Sequence, residues 1–419
     1  MRKLIVSAVA LVAALAFTVS GALGGAEQTP GVTAKTILIG ATLPLTTPAA
    51  AYAPIGTGIK TYFSYINARR GPDKKRGIMG RQVSFKFYDD AYNPANTVQL
   101  TRKLVEEDKV FAIVGQLGTE PVLAVRSYLN QAKVPQSLVA TGASYWGLQY
   151  KEFPYTIGFQ PDYIAEARLY GKHIKANFAG KKIAVLYQND DYGKDYLYGL
   201  RAALGKSYSD ANIVAQEGFE VTAPNVISQM ARIKASGATI FVIFATPTPT
   251  IRAYGTGKQL GYNPEQIYLN SVAATAAFLN IAVASAGMPY VNGSLSVTYL
   301  KDPSNPAQAS NPGVQEYKRI MAKYAPSLNA TNQLYMYGFG LAETFVQAMY
   351  KAGKNPTRAS YMNALLSLDS TNRFLLDGVK IKTSRTDHFV VSQMRLQRFN
   401  NGAWTPVGPL VEGRPDQSR

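Results

Sequence analysis

Two histidines, no cysteine and two Asp-Asp pairs bound the chemistry open to this chain. His173 and His388 are far apart in sequence, so a histidine acid/base pair or a triad would depend on their meeting in space. The absence of cysteine removes thiolate nucleophiles, disulfides, Fe–S ligation and the usual structural zinc sites. Asp89-Asp90 and Asp190-Asp191 look like carboxylate pairs. Each, however, ends a strand-like run and precedes a turn or helix, where aspartate commonly caps free N–H groups. Capping or contact roles are expected of them, not acid/base work. Gly255-Thr256-Gly257-Lys258 lacks the upstream glycine and the following Ser/Thr of a phosphate loop. Gly338-Phe339-Gly340 falls inside a helical pattern. Gly142-Ala143-Ser144-Tyr145-Trp146 carries tryptophan where a nucleophile elbow needs its second glycine. No catalytic residue, metal ligand set or cofactor is assigned, and no enzymatic activity is expected.

The elements around these residues alternate. Thr36–Gly40, Val83–Tyr88, Phe111–Gly115 and Val134–Ala140 read as strands, with helices predicted over 56–68, from Asn93-Pro94, and over 121–132. The rhythm restarts with strands at Lys182–Tyr187, Ile213–Phe219, Ala238–Phe244 and Ile267–Leu269, and with helices between them. This order predicts parallel sheets covered by helices, in two successive lobes. Ligands of such sheets bind in loops beyond the strands' carboxyl ends, so a cleft between the lobes is the expected site. Beyond residue 330 the rhythm changes. Helices over 334–350 and 361–368 and short strands at Val379–Ile381 and His388–Phe399 are too little for a third domain, and are expected to complete the two lobes.

The 419 residues carry 44 Lys+Arg against 26 Asp+Glu, a net charge of +18. The densest basic stretch, Lys74-Lys75-Arg76 with Arg69, Arg70 and Arg81 around it, is bracketed by glycines and reads as a solvated loop. No aromatic-interleaved basic stripe accompanies it, so no nucleic-acid partner is expected. Arg2 and Lys3, the apolar run Leu4–Val19 and the small residues Gly24-Gly25-Ala26 have the order of a secretory signal peptide over 1–26. A retained anchor is the competing reading. The mature chain is expected outside the cytoplasm, periplasmic or on the outer face of the membrane.

An ordered set of short stretches carries a resemblance: Gly31–Gly40, Ile66–Arg69, Gly80-Arg81, Asp89-Asp90 with Asn93-Pro94, Val114-Gly115, Val134-Pro135, Asp191-Tyr192-Gly193 and Tyr335–Ala348. The chain resembles the leucine/isoleucine/valine-binding family of extracytoplasmic solute receptors that feed ABC transporters. The resemblance implies an α/β fold of two Rossmann-like lobes with parallel-sheet cores, the type I periplasmic binding protein fold, hinging shut on a ligand. Three crossovers are placed near Gly158–Pro161, Ser294–Tyr299 and Leu375–Val379. The first lobe is then 36–158 plus 299–374, and the second 159–298 plus 375–412. A small-molecule ligand and a membrane ABC permease are the implied partners, with the chain a monomer.

Carried over by position, the ligand loops match Leu117-Gly118-Thr119 and Gly142-Ala143-Ser144 in the first lobe. Tyr192 and Thr246-Pro247 match in the second, and Tyr52 falls near the first lobe's aromatic wall. Thr119 stands where a hydroxyl holds the ligand's carboxylate. The loop around Val272, Asn270-Ser271-Val272-Ala273-Ala274, departs from the family. It lacks the acidic residue that holds the ligand's ammonium, and a buried ammonium without a counter-charge is costly. The expected ligand is therefore an apolar or aromatic carboxylate and not an α-amino acid, walled by Tyr145, Trp146, Tyr192 and Phe244. A ligand sensor of the same fold, passing occupancy to a signalling partner, is the alternative.

Overall fold

β-branched runs alternating with amphipathic helices fold into two sheets in a computed structural model that describes residues 29–46 and 48–413. The expected signal peptide therefore lies outside the described residues. The first sheet holds β1 (Thr36–Leu43), β2 (Gln82–Asp89), β3 (Ile113–Val114), β4 (Gln136–Val139) and β5 (Thr156–Gly158). Their order is β2-β1-β3-β4-β5 and every neighbouring pair is parallel. The β1/β2 register, from Thr36↔Gln82 to Leu43↔Asp89, brings both carboxyl ends to the same edge.

The second sheet begins with β6 (Ile183–Gln188), β7 (Ile213–Phe219), β8 (Ile240–Phe244), β9 (Gln266–Leu269) and β10 (Leu295–Thr298). A small two-stranded sheet of β11 (Asp369–Thr371) and β12 (Lys380–Lys382) follows in sequence, and β13 (Gln393–Asn400) and β14 (Ala403–Glu412) complete the second sheet. Its order is β14-β13-β10-β9-β8-β6-β7, with only β13 and β14 antiparallel to their neighbours. All five residues of β8 (Ile-Phe-Val-Ile-Phe) are buried, as expected of a parallel strand covered on both faces.

Helices α1 (Pro54–Ala68), α2 (Pro94–Arg102), α3 (Thr119–Gln131) and α4 (Tyr145–Leu148) connect the first sheet. The second is wrapped by α5 (Tyr163–Asn177), α6 (Asp191–Leu204), α7 (Lys206–Asn212), α8 (Ile227–Ala235), α9 (Pro247–Gln259), α10 (Ala276–Ala286) and α11 (Met288–Val291). Then α12 (Pro312–Tyr324), α13 (Gln333–Ala352) and α14 (Arg358–Leu365) return to the first lobe. α13 crosses α1 backbone to backbone. A Cβ at Gly338 would stand 2.5 Å from the Ile55 carbonyl oxygen, so the Gly338-Phe339-Gly340 run serves helix packing. Phe339 packs against Tyr62 at 5.3 Å between ring centroids, and Phe374 closes the group at 5.7 Å from Tyr62. Among the described residues no helix is long and apolar enough to cross a membrane.

The chain passes between sheets where β5 gives way to α5, again after β10, and a third time just before β13. Two of these places differ from expectation. Ser294–Tyr299 was expected to be a crossing, but Leu295–Thr298 is β10, paired with β9 and β13 inside the second sheet, and the passage follows it at Tyr299–Lys301. Leu375–Val379 does not leave the first lobe. Leu375 bridges Leu300, β12 pairs with β11, and Thr383 bonds Leu365 and Leu368 at the end of α14. The chain then runs beside the first crossing, with Val390 N–H on the Gly158 carbonyl (3.0 Å) and Val391 N–H on Phe159 (3.1 Å), before entering β13. The strand expected at Val379–Ile381 is present as β12, but so short a strand carries no periodicity that tells one sheet from another, and so does not reveal that it stays with the first lobe and does not start the second.

Candidate functional site

The carboxyl ends of the parallel strands face one another across a cleft, and the loops there supply its walls. After β1, the turn Ala50–Tyr52 places Tyr52; after β2 comes Tyr92; after β3, Leu117-Gly118-Thr119. Gly118 has φ +99°, a backbone conformation open to glycine, and this turns the chain so that α3 starts at Thr119 with its first N–H groups toward the cleft. From the second lobe come Tyr163 and Tyr192 at the starts of α5 and α6, Thr246 after β8, Ser271-Val272 after β9 and Thr298-Tyr299 at the end of β10. α13 adds Leu334 and Tyr337. The space enclosed is about 750 Å³, its open mouth included.

Six tyrosines line this space: Tyr52, Tyr92, Tyr163, Tyr192, Tyr299 and Tyr337. Burial pushes each of their hydroxyls well above the ordinary phenol value, so all six are neutral donors and acceptors. Their polar ends are tethered in part. Tyr337 Oη donates to Gln160 Oε1 at 2.8 Å, Gln160 Nε2 donates to Tyr163 Oη at 3.1 Å, and Tyr52 Oη donates to the Val272 carbonyl at 3.2 Å. Asn270 Nδ2 bonds Tyr192 Oη. At one wall the Thr119 and Thr141 hydroxyl oxygens are 2.7 Å apart, both buried.

Among the described residues, none of the side chains lining the cleft is Asp, Glu, Lys, Arg or His. The carboxylate bonded to the Ser271 loop is Glu166, fully buried behind it. Its oxygens accept from Ser271 N–H (2.7 Å), Ser271 Oγ (2.6 Å), Tyr170 Oη (2.7 Å) and Tyr196 Oη (3.0 Å). Burial raises its pKa and these hydrogen bonds oppose that rise. Glu166 therefore positions the loop. Three helices of 13 or 14 residues, α3, α6 and α9, begin at the cleft through Thr119, Tyr192 and Thr246. Their N-terminal dipole ends favour negative charge, which Asp190 and Asp191 at α6 and Glu120 at α3 already supply in part.

The site residues expected from sequence divide. Tyr52, Leu117, Gly118, Thr119, Tyr192, Thr246 and Val272 line the cleft. Gly142, Ala143, Ser144 and Pro247 do not. The Gly142 carbonyl accepts Tyr163 N–H at 2.8 Å, and Ala143 packs with Trp146, Val139 and Phe389. Pro247 is the buried first residue of α9. Ser144 reaches across the cleft to the other lobe, its N–H 2.7 Å and its Oγ 3.0 Å from the carboxylate of Asp195 on α6. Trp146 and Phe244 are not walls either. Trp146 donates Nε1–H to the Thr141 carbonyl at 2.9 Å, and Phe244 stacks behind Tyr196 at 4.8 Å. Tyr145 bonds Asp191 across the lobes, at 3.2 Å. Tyr92, Tyr163, Tyr299 and Tyr337 are the wall tyrosines that sequence reasoning missed, alongside smaller lining residues such as Ile55 and Gln160. Tyr163 directly follows Asp162, a cap signal that marks it as opening a helix at a strand end.

The Asp pairs make the expected capping and contact bonds. Asp89 accepts from Leu45 N–H (2.9 Å) and Ala91 N–H (2.9 Å), and Asp90 from Tyr92 N–H (3.0 Å) and Thr97 Oγ1 (3.0 Å). Asp190 caps α6 through Gly193 N–H, 3.1 Å, and Asp191 N–H bonds Glu120 of the first lobe at 2.9 Å. The histidines stay apart. His173 is half-buried with Nδ1 2.7 Å from Tyr268 Oη, and His388 donates to the Thr156 carbonyl at 2.7 Å beside a crossing. Among the described residues no group of three or more His, Asp or Glu could hold a metal ion.

This arrangement of lobes and loops is shared with known proteins. A curated relative, "Leu/Ile/Val-binding protein homolog 3" of Brucella melitensis biotype 1, is 29% identical over 172 residues, 41% of this chain and 44% of the relative. The chain thus matches less than half that relative's length. A branched-chain amino acid ABC transporter protein from Thermus thermophilus, solved with bound valine, superposes with TM-score 0.77 at 18% identity, covering 91% of this chain and 97% of the other. A fatty acid ABC transporter substrate-binding protein from Thermomonospora curvata superposes with TM-score 0.75 at 21% identity, over 92% and 95% of the two chains. At these identities the likeness is one of fold, the two-lobed type I arrangement. The family profile described as periplasmic binding protein matches residues 36–403, and the chain belongs to that family.

Proposed function

We propose that this chain is the extracytoplasmic substrate-binding component of an ABC importer, closing its lobes on a small apolar or aromatic carboxylate that carries no α-ammonium. One observation carries the reading: a cleft walled by six tyrosines and aliphatic side chains with no charged side chain among its lining. An α-amino acid would bury an ammonium there with no carboxylate among the lining side chains, which is costly. A carboxylate would meet the Thr119 hydroxyl and the first N–H groups of α3 as donors. The aromatic walls suit an apolar or aryl body. Similar folds are known with valine and in a fatty acid system, so the architecture admits ligands with and without an amino group. Delivery to a membrane permease follows from the family, and the reading includes no chemical step.

The test is calorimetry and thermal shift of the purified chain against leucine, valine, branched short-chain acids and arylalkanoic acids. Ligands that bind only the folded state stabilise it by about 2.7 kcal/mol at 100-fold over Kd. Stabilisation is expected from acids lacking the amino group and not from leucine. Tight leucine binding with no response to the acids would overturn the proposal.

A further inference from the structure

We propose that the end of the first lobe where the chain enters its fold is an electrostatic docking surface for anionic lipid headgroups. The ligand cleft uses none of the +18 net charge, yet the structure gathers part of it in one place. Arg70, Lys74, Lys75 and Arg76 are exposed on a turn that folds back on itself through the Arg70↔Arg76 bridge and the Gly71 N–H to Lys75 carbonyl bond of 2.8 Å. Asp73 is the only acidic residue between Arg69 and Gln82. The turn is pinned rather than loose. Tyr350 Oη donates to the Gly77 carbonyl at 3.2 Å, and Arg81 Nη1 donates to the carbonyl of exposed Lys354 at 2.9 Å.

A second observation fixes which way this surface faces. Arg81 Nε also donates to the Thr33 carbonyl at 2.7 Å, and exposed Lys35 is two residues on. Thr33 lies four residues after Thr29, the first described residue, and the apolar run Leu4–Val19 precedes that in sequence. On the retained-anchor reading of that run, the segment best suited to enter a bilayer is joined to the fold beside the basic turn. Lys35 and Gln82 stand at the amino ends of β1 and β2, whereas the cleft lies beyond their carboxyl ends. At about 3.3 Å per residue, the eight-residue strands keep the two surfaces roughly 25 Å apart. Docking at one leaves the other's mouth open. Basic residues near an anionic leaflet each strengthen binding by about fivefold, and such clusters act with an apolar segment as a paired anchor.

The test uses the full chain and co-sedimentation with phosphatidylcholine vesicles, with and without phosphatidylglycerol. The apolar run contributes alike to both, so the ratio of the two affinities isolates the surface. At about 0.1 M salt a preference of roughly tenfold or more for the anionic vesicles is expected, and at about 1 M salt its loss. The variant Lys74→Glu/Lys75→Glu/Arg76→Glu should lose most of that preference with its melting temperature unchanged. Lys172→Glu/Lys175→Glu/Lys182→Glu, an equal charge change on the second lobe, should keep it. Equal affinity for both vesicles, an equal fall in both variants, or displacement by inorganic phosphate at matched ionic strength would overturn the proposal. The last of these would mark a site for free phosphate.

Discussion

Thr119 carries the ligand reading at the scale of a single residue. Its hydroxyl is buried 2.7 Å from that of Thr141, at the start of α3. Replacing it with valine keeps the shape, removes the donor proposed for the ligand's carboxylate and leaves the Thr141 hydroxyl facing a methyl. A hydrogen bond to a charged group is worth about 1.5–3 kcal/mol, so Thr119→Val should raise Kd by roughly 10- to 100-fold. Thr119→Ser, which keeps the hydroxyl, should stay within a few-fold; titration calorimetry of both variants checks this. Thr119 was legible in the sequence because a glycine after a strand and a hydroxyl after that glycine are local features. Tyr299 and Tyr337 were not, because what makes them wall residues is the crossing after β10 and the position of α13, which local pattern does not encode. Ser144 shows the converse. Its neighbourhood looks like a ligand loop, and only the approach of α6 reveals that its partner is Asp195.

At the scale of elements, the long strands β1, β2 and β6 to β8 were legible from runs of β-branched, aliphatic and aromatic residues. β5 and β10 were not, being three and four residues long and set by pairing with neighbours already in place. One helix carries a pH signature. Asp162 caps α5 through Ala165 N–H at 2.8 Å, while its second oxygen is buried with no hydrogen-bond partner. Burial, helped by the Asp195 charge and opposed by Arg168, pushes its carboxyl up to about 8. The folded state then holds a proton that the unfolded chain releases near its ordinary value of 3.8. Stability from this group is complete below that value and falls as pH rises toward about 8. Asp162→Asn keeps the capping oxygen and removes the titration. Denaturant unfolding between pH 5 and 8, on the order of that window, should show the variant gaining on the parent chain as pH rises.

At the scale of the whole molecule, the structure shows the lobes closed on each other through a small number of bonds at the cleft's margin. Ser144 with Asp195, Tyr145 with Asp191, and Glu120 with Asp191 N–H all join α6 to first-lobe loops. Asp195→Ala removes the strongest of these clasps without touching the cleft lining. It should destabilise the closed form by about 1–3 kcal/mol, the worth of hydrogen bonds to a buried charged group. Ligand dissociation should quicken by roughly tenfold or more, while association changes little. Stopped-flow kinetics measures both, and small-angle scattering should show a larger unliganded radius for the variant. Unchanged dissociation would mean that the clasp does not hold the lobes shut.

The threefold passage between sheets has a consequence for how such a chain comes into being. α1 is made early, but the face it presents to α13 through Gly58 and Gly338 stays uncovered until the second lobe's first five strands have been synthesised. The second sheet in turn waits for β13 and β14, close to the last residues described. Contacts so distant along the chain are slow to form, because loop closure precedes any reward from packing. A polypeptide delivered end-first through a narrow channel therefore remains threadable for most of its passage, and neither lobe can jam the channel by folding ahead of its own tail.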